Sequence, residues 1–482
     1  MNYRYIIGGS LSLVATSMLA QVKSTDTDTK KMNVLFILAD DLRPNLGCYS
    51  DPYAITPNID NIAANGITFG NAYCQQAVSN PSRASMLTGL RPDQTGVTNL
   101  YTNFRDSIPD AVTLPQFFKN NGYCVTGVGK IFHSVAHDID TISFTKVLPL
   151  ERRGYLLPQN SRRKGGKQSA YEDADVEDNK YPDGEIADNA VQMIKNASES
   201  SSPFFLAVGF LKPHLPFNAP KKYWDMYKDH KFEIKHRERP ERSPDIAFHN
   251  WDELRGYANM PDTGALNTNQ EQELWRGYYA CISYVDTQIG KLLDALDEHG
   301  MRDNTIIVLW GDHGYHLGEQ DLWCKSTNYE LDTRIPLIIS VPTGKLKDIY
   351  SSSIVEAVDI YPTLTDYCGF GKSPILAGTS LRSVMDRKDG FKESNYAFSQ
   401  FVRPYEAILK RTPATHMGYS VRTPQWRFTC WYNLTTGDID EKELYLINKD
   451  SVESKNLTGD TQYMNVEKEL LECVNNYRNE KY

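Results

Sequence analysis

Short apolar runs and longer amphipathic segments follow one another along most of the chain. Continuous apolar runs bounded by polar residues are typical of strands that are buried on both faces of a parallel sheet. Five such runs of seven residues each are NVLFILA (33–39), YCVTGVG (123–129), FFLAVGF (204–210), TIIVLWG (305–311) and IPLIISV (335–341). Because helical segments alternate with these runs, the pattern predicts an α/β fold in which helices cover both faces of a sheet.

The clearest helical segment begins near residue 268. Thr268 and Glu271 have the spacing of a capping box, and Gly300 offers a C-terminal stop. The pattern changes after residue 386, where two hairpin-like runs precede a helical segment over 465–478. The two runs are GYSVRTPQWRFTCWYN (418–433) and ELYLI (443–447). We therefore predict a main domain over 31–385 and a C-terminal α+β subdomain over 386–482, with a small antiparallel sheet and a terminal helix.

The first twenty residues have the pattern of a signal peptide, with Arg4 ahead of an apolar stretch that is too short to cross a bilayer. We therefore expect residues 1–20 to be removed and the mature chain to be exported, to the periplasm in a Gram-negative source. No later apolar run is long enough to span a membrane.

The net charge of −9 favours neither nucleic acid nor an anionic membrane as a partner. The eight cysteines form no CxxC pair, so no zinc cluster is predicted.

Four of the apolar runs end in charged side chains that a hydrophobic core would not select. In open α/β sheets, binding sites are built where the carboxyl ends of the strands meet, so we expect these residues to share one crevice. They are Asp40 and Asp41, Lys130 and His133, Lys212 and His214, and Asp312 and His313.

The three aspartates predict a divalent metal site. Buried carboxylates that lie close together repel one another unless a cation neutralises them. Oxygen ligands favour Ca²⁺, with Mg²⁺ as the alternative, although His313 is a less usual ligand for either ion. For a single aspartate, a helix cap or an ion pair with arginine is the competing interpretation.

Cationic and proton-transferring side chains would surround the same crevice. Lys130, His133, His214 and Lys325 suit an anionic substrate whose charge increases on non-bridging oxygens during the reaction. This combination indicates sulfuryl or phosphoryl transfer.

The segment SNPSRASMLTG (79–89) resembles the signature of the type I sulfatases, in which a Cys or Ser two positions before a proline is oxidised to formylglycine. Ser79 stands at that position. Further segments resemble sulfatase motifs in the same order along the chain, and several of them are most similar to the iduronate-2-sulfatase branch and to Bacteroides uronate 2-O-sulfatases that act on heparin fragments. These segments are ILADDLRPNLGCY, GVGKIFH, FLKPHLPF, WGDHGYHLGEQDLWCK and GYSVRTPQWRFTCWYN.

The resemblance implies an alkaline-phosphatase-like fold, with a large mixed sheet between helices, and a catalytic role for the 31–385 domain. It also implies a formylglycine hydrate at position 79 that attacks sulfur, and an anaerobic maturating enzyme that oxidises the serine. The implied metal ligands are Asp40, Asp41, Ser79, Asp312 and His313. Arg83 and Lys130 would stabilise the hydrate, His133 would trigger sulfate release, His214 would protonate the leaving oxygen, and Lys325 would bind the sulfate.

The branch resemblance implies an exo-acting hydrolase that removes the 2-O-sulfate from a terminal uronic acid of heparin or heparan sulfate oligosaccharides. We expect Lys212, His316 and Arg403 to reach the uronate carboxylate. Three alternatives remain open. They are a sulfatase for another sugar or a small sulfate ester, a metal-dependent phosphatase or phosphodiesterase that uses Ser79 directly, and a glycan-binding protein without catalysis.

Overall fold

The five predicted apolar runs all lie in one large sheet. The computed structural model describes residues 31–133, 139–148, 154–161, 167–342, 344, 346–370, 376–386, 395–447 and 452–479, so the predicted signal peptide lies outside the described residues. The strands are β1 (Asn33–Asp40), β2 (Ile67–Tyr73), β3 (Cys124–Gly129), β4 (Lys146–Leu148), β5 (Tyr171–Glu172), β6 (Phe204–Pro213), β7 (Phe217–Asn218), β8 (Thr305–Gly311), β9 (His316–Leu317), β10 (Trp323–Cys324), β11 (Arg334–Ile335), β12 (Leu337–Ser340), β13 (Ile349–Glu356), β14 (Ala397–Arg403), β15 (His416–Arg422), β16 (Trp426–Asn433) and β17 (Ile439–Leu446).

Helices pack on this sheet and connect its strands. They are α1 (Pro57–Ala64), α2 (Ser79–Thr88), α3 (Pro92–Thr95), α4 (Phe104–Ser107), α5 (Leu114–Asn120), α6 (Pro158–Ser161), α7 (Pro182–Ser198), α8 (Lys221–Asp225), α9 (Asp252–Arg255), α10 (Thr268–Glu298), α11 (Glu330–Thr333), α12 (Ile360–Tyr367), α13 (Arg382–Met385), α14 (Glu406–Leu409) and α15 (Met464–Asn479). None of the helices in the described residues is long and apolar enough to cross a membrane.

The large sheet is mixed, in the order β11, β2, β12, β8, β1, β6, β3, β4, with β13 also paired to β2. Strands β8, β1, β6, β3 and β4 run parallel to one another, whereas β12 runs antiparallel to both β8 and β2. The expectation that all five runs form parallel strands is therefore wrong for the last of them. The predicted α/β fold with a large mixed sheet is confirmed.

Strand β1 shows why these runs are apolar throughout. Its side chains alternate between two hydrophobic clusters, with Leu35 and Ile37 in one and Val34 and Phe36 in the other. Residues of α1, α7 and α10 belong to the first cluster, and residues of α2, α5 and α12 belong to the second. Both faces of the central strand are therefore buried, as expected for parallel strands between helical layers.

The long helix α10 starts one residue away from the predicted capping box. Its N-cap is Asn267, whose side chain accepts a hydrogen bond from the backbone of Gln270, while the Gln270 side chain accepts from the backbone of Asn267. The box predicted from Thr268 and Glu271 is therefore wrong. Asparagine is at least as effective a cap as threonine, so Asn267 with Gln270 and Thr268 with Glu271 were both possible capping boxes for this helix.

The C-terminal region forms the predicted antiparallel sheet and terminal helix. Strands β14, β15, β16 and β17 pair in sequence order, and α15 packs on them through Leu470 and Val474. Phe401 and Phe428 of this sheet belong to the same hydrophobic cluster as the second face of the large sheet. Residues 32–482 form one compact unit, and the boundary at residue 386 stays a prediction.

Candidate active site

The acidic residues come together where β1 and β8 end side by side. These strands are parallel with Ala39 opposite Gly311, so Asp40, the last residue of β1, and Asp41 lie beside Asp312, which follows β8. Asp41 has a left-handed backbone with φ of 60°, and its amide donates to Oδ1 of Asp312 at 3.0 Å. The ligand atoms of Asp40, Asp41, Asp312 and His313 all lie within 4.8 Å of one another, and all four residues are buried.

This cluster fits a divalent cation. Oδ1 of Asp41 is buried and has no hydrogen-bond partner among the described residues, which leaves a carboxylate oxygen without compensation for its lost hydration. Nε2 of His313 lies 3.3 Å from that oxygen and 3.6 Å from Oδ1 of Asp312. Burial raises the pKa of Asp41 to about 7, against the opposing charge of Lys325. Three carboxylates and an imidazole nitrogen are a donor set for a hard cation, with oxygen predominating.

Ser79 and Arg83 reach the cluster from the first turns of α2. Oγ of Ser79, the first residue of the helix, donates to Oδ1 of Asp40 at 3.0 Å and lies 3.2 Å from Nε2 of His313. Arg83 is four residues later, on the same helix face. Its Nη2 contacts Oδ1 of Asp40 and its Nε contacts Oδ2 of Asp312, both at 2.9 Å. The close spacing of Ser79 and Arg83 therefore directs both side chains to Asp40.

Lys130 enters from the end of β3. The strand ends at Gly129, with φ of 82°, where a Cβ atom would lie 2.1 Å from the carbonyl oxygen of Gly209. Nζ of Lys130 contacts Oδ2 of Asp40 at 2.5 Å, and the side chain is 2% exposed. Burial alone would raise the pKa of Asp40, but Lys130 and Arg83 outweigh it and hold that pKa well below its usual value. Asp40 is thus kept ionised.

His133 lies three residues beyond Lys130 and is half-buried. The backbone between them is bonded to α2, because the guanidinium of Arg83 donates to the carbonyl oxygens of Lys130 and Ile131. Phe132 is stacked on Phe104 with ring centroids 5.9 Å apart. The backbone around His133 is therefore anchored at the same edge of the sheet as the acidic cluster.

Lys325 and His214 form the other side of the site. Nζ of Lys325 contacts Oδ2 of Asp41 at 2.9 Å and Oε1 of Glu253 at 2.8 Å. Nε2 of His214 lies 3.4 Å from the same Glu253 oxygen, and its Nδ1 faces the carbonyl of Leu215. Burial and the nearby charge of Lys325 hold the pKa of His214 well below its usual value. Nδ1 carries a proton in either charge state of the ring, since only a protonated nitrogen can donate to a carbonyl, so Nε2 is the nitrogen that gains and loses a proton.

The three predicted contacts to a uronate carboxylate fall in different environments. Lys212 lines a cavity of about 100 Å³ together with Asp40 and His214. His316 is buried, with Nδ1 2.6 Å from Oδ1 of Asp332 and Nε2 3.0 Å from Oε1 of Gln320.

Arg403 is buried as well, and its guanidinium donates to the backbone carbonyls of Val402, Ile246, Ala247 and Ser326. Within the described residues, protein atoms therefore occupy both nitrogens of His316 and all three nitrogens of the Arg403 guanidinium. His316 and Arg403 thus have internal partners, whereas Lys212 lines the cavity next to the acidic cluster. A contact of any of the three with a uronate carboxylate stays a prediction.

Glu253 is the site residue that the sequence did not single out. It belongs to the four-residue helix α9, within the polar segment 224–263, which has the pattern of a surface insertion. No apolar run precedes it, so nothing in the local pattern marks it as different from its exposed neighbour Asp252. Only the path of the folded chain brings its carboxylate to Lys325.

Comparisons with known proteins identify the family of the chain. Residues 32–370 match the family model described as Sulfatase, and residues 318–480 match the C-terminal model of N-sulphoglucosamine sulphohydrolase. The chain is 32% identical to human iduronate 2-sulfatase, with 95% of this chain and 96% of that protein covered. It is 28% identical to an N-acetylglucosamine-6-O-sulfatase of Bacteroides thetaiotaomicron, with 96% and 89% covered.

A solved structure described as a complex with its substrate D-glucosamine-2-N,6-O-disulfate superposes with a TM-score of 0.74. The two sequences are 25% identical, and the match covers 93% of this chain and 98% of that one. The residues that match the family model make up more than half of the chain. They include the strand ends, Ser79, Lys130 and Lys325. The chain therefore belongs to the sulfatase family and is a sulfuric ester hydrolase.

Proposed function

We propose that this enzyme is an exo-acting sulfatase that hydrolyses the 2-O-sulfate of a terminal uronic acid in heparin or heparan sulfate oligosaccharides. The observation that carries the chemistry is the position of Ser79, at the start of α2 and within hydrogen-bond distance of Asp40 and His313. The 32% identity to iduronate 2-sulfatase over nearly the full length of both chains supports the uronate branch.

The nucleophile in this proposal comes from Ser79. A separate anaerobic maturating enzyme removes two hydrogen atoms from the Ser79 side chain in a two-electron oxidation and leaves an aldehyde. Water adds to this formylglycine and gives a geminal diol. Arg83 and Lys130 stabilise the diol, because both already direct cationic groups at Asp40 beside the Ser79 oxygen.

Asp40, Asp41, Asp312 and His313, with the oxygen of residue 79, would hold a Ca²⁺ ion or alternatively Mg²⁺. When bound, such a cation offsets the charge of the acids and polarises the sulfate ester. Oδ1 of Asp41 would gain from such a cation, because it is buried and accepts no hydrogen bond within the described residues.

In the first chemical step, one diol hydroxyl passes its proton to the carboxylate of Asp40, to which the residue 79 oxygen donates. Its oxygen forms a bond to sulfur while the bond from sulfur to the sugar oxygen breaks. His214 gives a proton to the departing sugar oxygen, and Lys325 binds an oxygen of the sulfate. His133 then takes the proton from the second hydroxyl, the bond from carbon to the sulfate oxygen breaks, and sulfate leaves. The aldehyde is thereby restored.

Lys212 is a candidate for contact with the uronate carboxylate. Its Nζ donates to the carbonyls of His214 at 2.8 Å and Pro216 at 2.6 Å. An ammonium group has three donors, so one remains for a carboxylate in the adjoining cavity of about 100 Å³.

The test is sulfate release by protein co-expressed with an anaerobic maturating enzyme, after mass spectrometry has established formylglycine at position 79. The substrates are unsaturated heparin disaccharides that carry only a 2-O-, 6-O- or N-sulfate. We expect selective loss of the 2-O-sulfate, and none from protein that retains Ser79. Selective cleavage of another sulfate, or of choline sulfate, would contradict the uronate assignment. Cleavage of phosphate esters by the unmodified serine would favour direct phosphoryl transfer.

A further inference from the structure

Glu253 contacts both side chains that face the position of the leaving oxygen in the proposed reaction. A single carboxylate oxygen, Oε1, accepts from Nζ of Lys325 at 2.8 Å and lies 3.4 Å from Nε2 of His214. The ligand atoms of Asp41, His214 and Glu253 lie within 4.8 Å of one another. The Glu253 carboxylate therefore lies beside the acidic cluster of Asp40, Asp41, Asp312 and His313 and is not one of its members.

The charge of Glu253 is opposite to the charges that Lys325 and His214 carry in the proposed reaction. Lys325 carries a positive charge, and His214 must be positively charged to donate a proton from Nε2, because its Nδ1 proton already faces the carbonyl of Leu215. Two cations this close repel one another in a partly desolvated site. The negative charge of Glu253 between them offsets that repulsion and orients both nitrogens.

The backbone that carries Glu253 is held firmly in place. The indole nitrogen of Trp251 donates to the carbonyl of Asp321 at 2.9 Å, and the guanidinium of Arg255 lies 4.2 Å from the Trp251 ring centroid. Arg255 also donates to the carbonyl oxygens of Asn250, Pro261 and Gly264, and Leu254 is buried. A carboxylate presented from such a rigid segment can position its neighbours accurately.

We propose that Glu253 is a positioning residue that holds Lys325 and protonated His214 in line with the leaving sugar oxygen. This inference rests on the proposed function, because it takes the roles of His214 and Lys325 from there. Proton donation matters for a sugar alkoxide, which is a poor leaving group, and matters little for 4-nitrophenolate, which leaves without a proton. The effect of Glu253 should therefore depend on the leaving group.

The experiment compares Glu253→Gln, Glu253→Asp and the neighbouring control Asp252→Asn in the full-length, formylglycine-containing enzyme. Asp252 is exposed on the same short helix, so its substitution removes the same charge from the same segment. kcat and KM are measured on the sugar sulfate that the unsubstituted enzyme cleaves fastest and on 4-nitrophenyl sulfate. The substrate is chosen by its rate and not by the position of its sulfate group. The inference about Glu253 can therefore be tested even if the uronate assignment is wrong.

We expect Glu253→Gln to lower kcat for the sugar sulfate by about 100-fold or more, with KM changed little, and to lower turnover of 4-nitrophenyl sulfate far less. Glu253→Asp should recover part of the loss, and Asp252→Asn should behave as the unsubstituted enzyme. Equal losses on both esters, or a raised KM with unchanged kcat, would overturn the inference. If the aryl ester is not a substrate, the division between kcat and KM and the recovery by aspartate decide the question.

Discussion

At the scale of single residues, Arg83 decides the geometry of the acidic cluster. Its guanidinium bridges Asp40 and Asp312, which lie at the ends of different strands, and it is 1% exposed. The rigid fork of arginine can reach two carboxylates at once, whereas the ammonium of lysine is a single point of charge. The guanidinium thus fixes the two carboxylates relative to each other, and Asp40 accepts a hydrogen bond from Ser79.

Replacement of Arg83 by lysine is therefore expected to be damaging although the charge is kept. Arg83→Lys should lower kcat by about 100-fold or more. It should also lower the free energy of unfolding by about 1–3 kcal/mol, because one charge-assisted contact is lost in a buried site. Steady-state kinetics and urea unfolding of the same preparations check both values.

Arg91→Lys is the matched control, because Arg91 forms a comparable two-point contact with Glu356 at 2.8 and 2.7 Å. This variant should lose stability but keep its kcat. An Arg83→Lys enzyme with unchanged kcat would contradict the assigned role of the guanidinium.

At the scale of elements, the short helix α11 joins the C-terminal sheet to the large sheet. Its first residue, Glu330, accepts from Arg422 of β15 at 2.9 Å and from Arg427 of β16 at 2.6 Å. The other oxygen of Glu330 accepts from the hydroxyl of Tyr73 on β2 at 2.8 Å. All of these groups are buried, so the connection between the two sheets is ionic at this point and not only hydrophobic.

This connection predicts a loss of stability in acid. Burial opposes ionisation of Glu330, but Arg422 and Arg427 outweigh it and lower its pKa from 4.5 to about 2. A lowered carboxylate pKa stabilises the fold above the unfolded-state pKa, and that stabilisation is lost as the pH falls from about 4.5 to 2. The shift corresponds to about 3 kcal/mol. Glu330→Gln should lower the free energy of unfolding at neutral pH by about 3–5 kcal/mol and reduce its decline below pH 4.5.

Unfolding in urea between pH 3 and pH 7 measures this dependence. Asp460→Asn serves as the comparison, because the Asp460 pair with Arg242 is exposed and should contribute less than about 1 kcal/mol. An unchanged acid profile in Glu330→Gln would show that other carboxylates dominate the decline.

At the scale of the whole molecule, the site depends on contacts between distant parts of the chain. The amide of Asp41 and the carboxylate of Asp312 are separated by 271 residues, and Lys325 and Asp41 by 284. A ligand that binds this cluster binds the folded state alone, because unfolding scatters its donors. Cation binding and global stability must therefore be linked.

Ca²⁺ should consequently raise the unfolding midpoint of the whole protein. A concentration 100 times the Kd would add about 2.7 kcal/mol to the free energy of unfolding. Thermal unfolding in Ca²⁺, in Mg²⁺ and after chelation measures the effect and ranks the two ions. In Asp41→Asn the response should be strongly reduced, since the unpartnered oxygen loses its charge. Identical midpoints under all three conditions in the unsubstituted protein would contradict a cation site.

Several features of the fold could not be predicted from local pattern. Strand β13 (IYSSSIVE) is half polar because its first residues are partly exposed, so it lacks the continuous apolar run of a central strand. The direction of β12 depends on how the chain returns to the sheet, and an apolar run is the same in either direction. The internal partners of His316 and Arg403 could not be predicted either, because only the fold shows which groups a buried charged side chain contacts.

The sequence by itself determined the buried strands, the charged residues at their ends and the family motifs around Ser79, because burial pattern and motif spacing are local properties of the chain. The tertiary structure alone decided that Arg83 bridges two strand ends, that Oδ1 of Asp41 lacks a partner and that Glu253 joins Lys325. These facts depend on contacts between segments far apart in the sequence. Such contacts, and the charge compensation that they provide, form only when the chain folds.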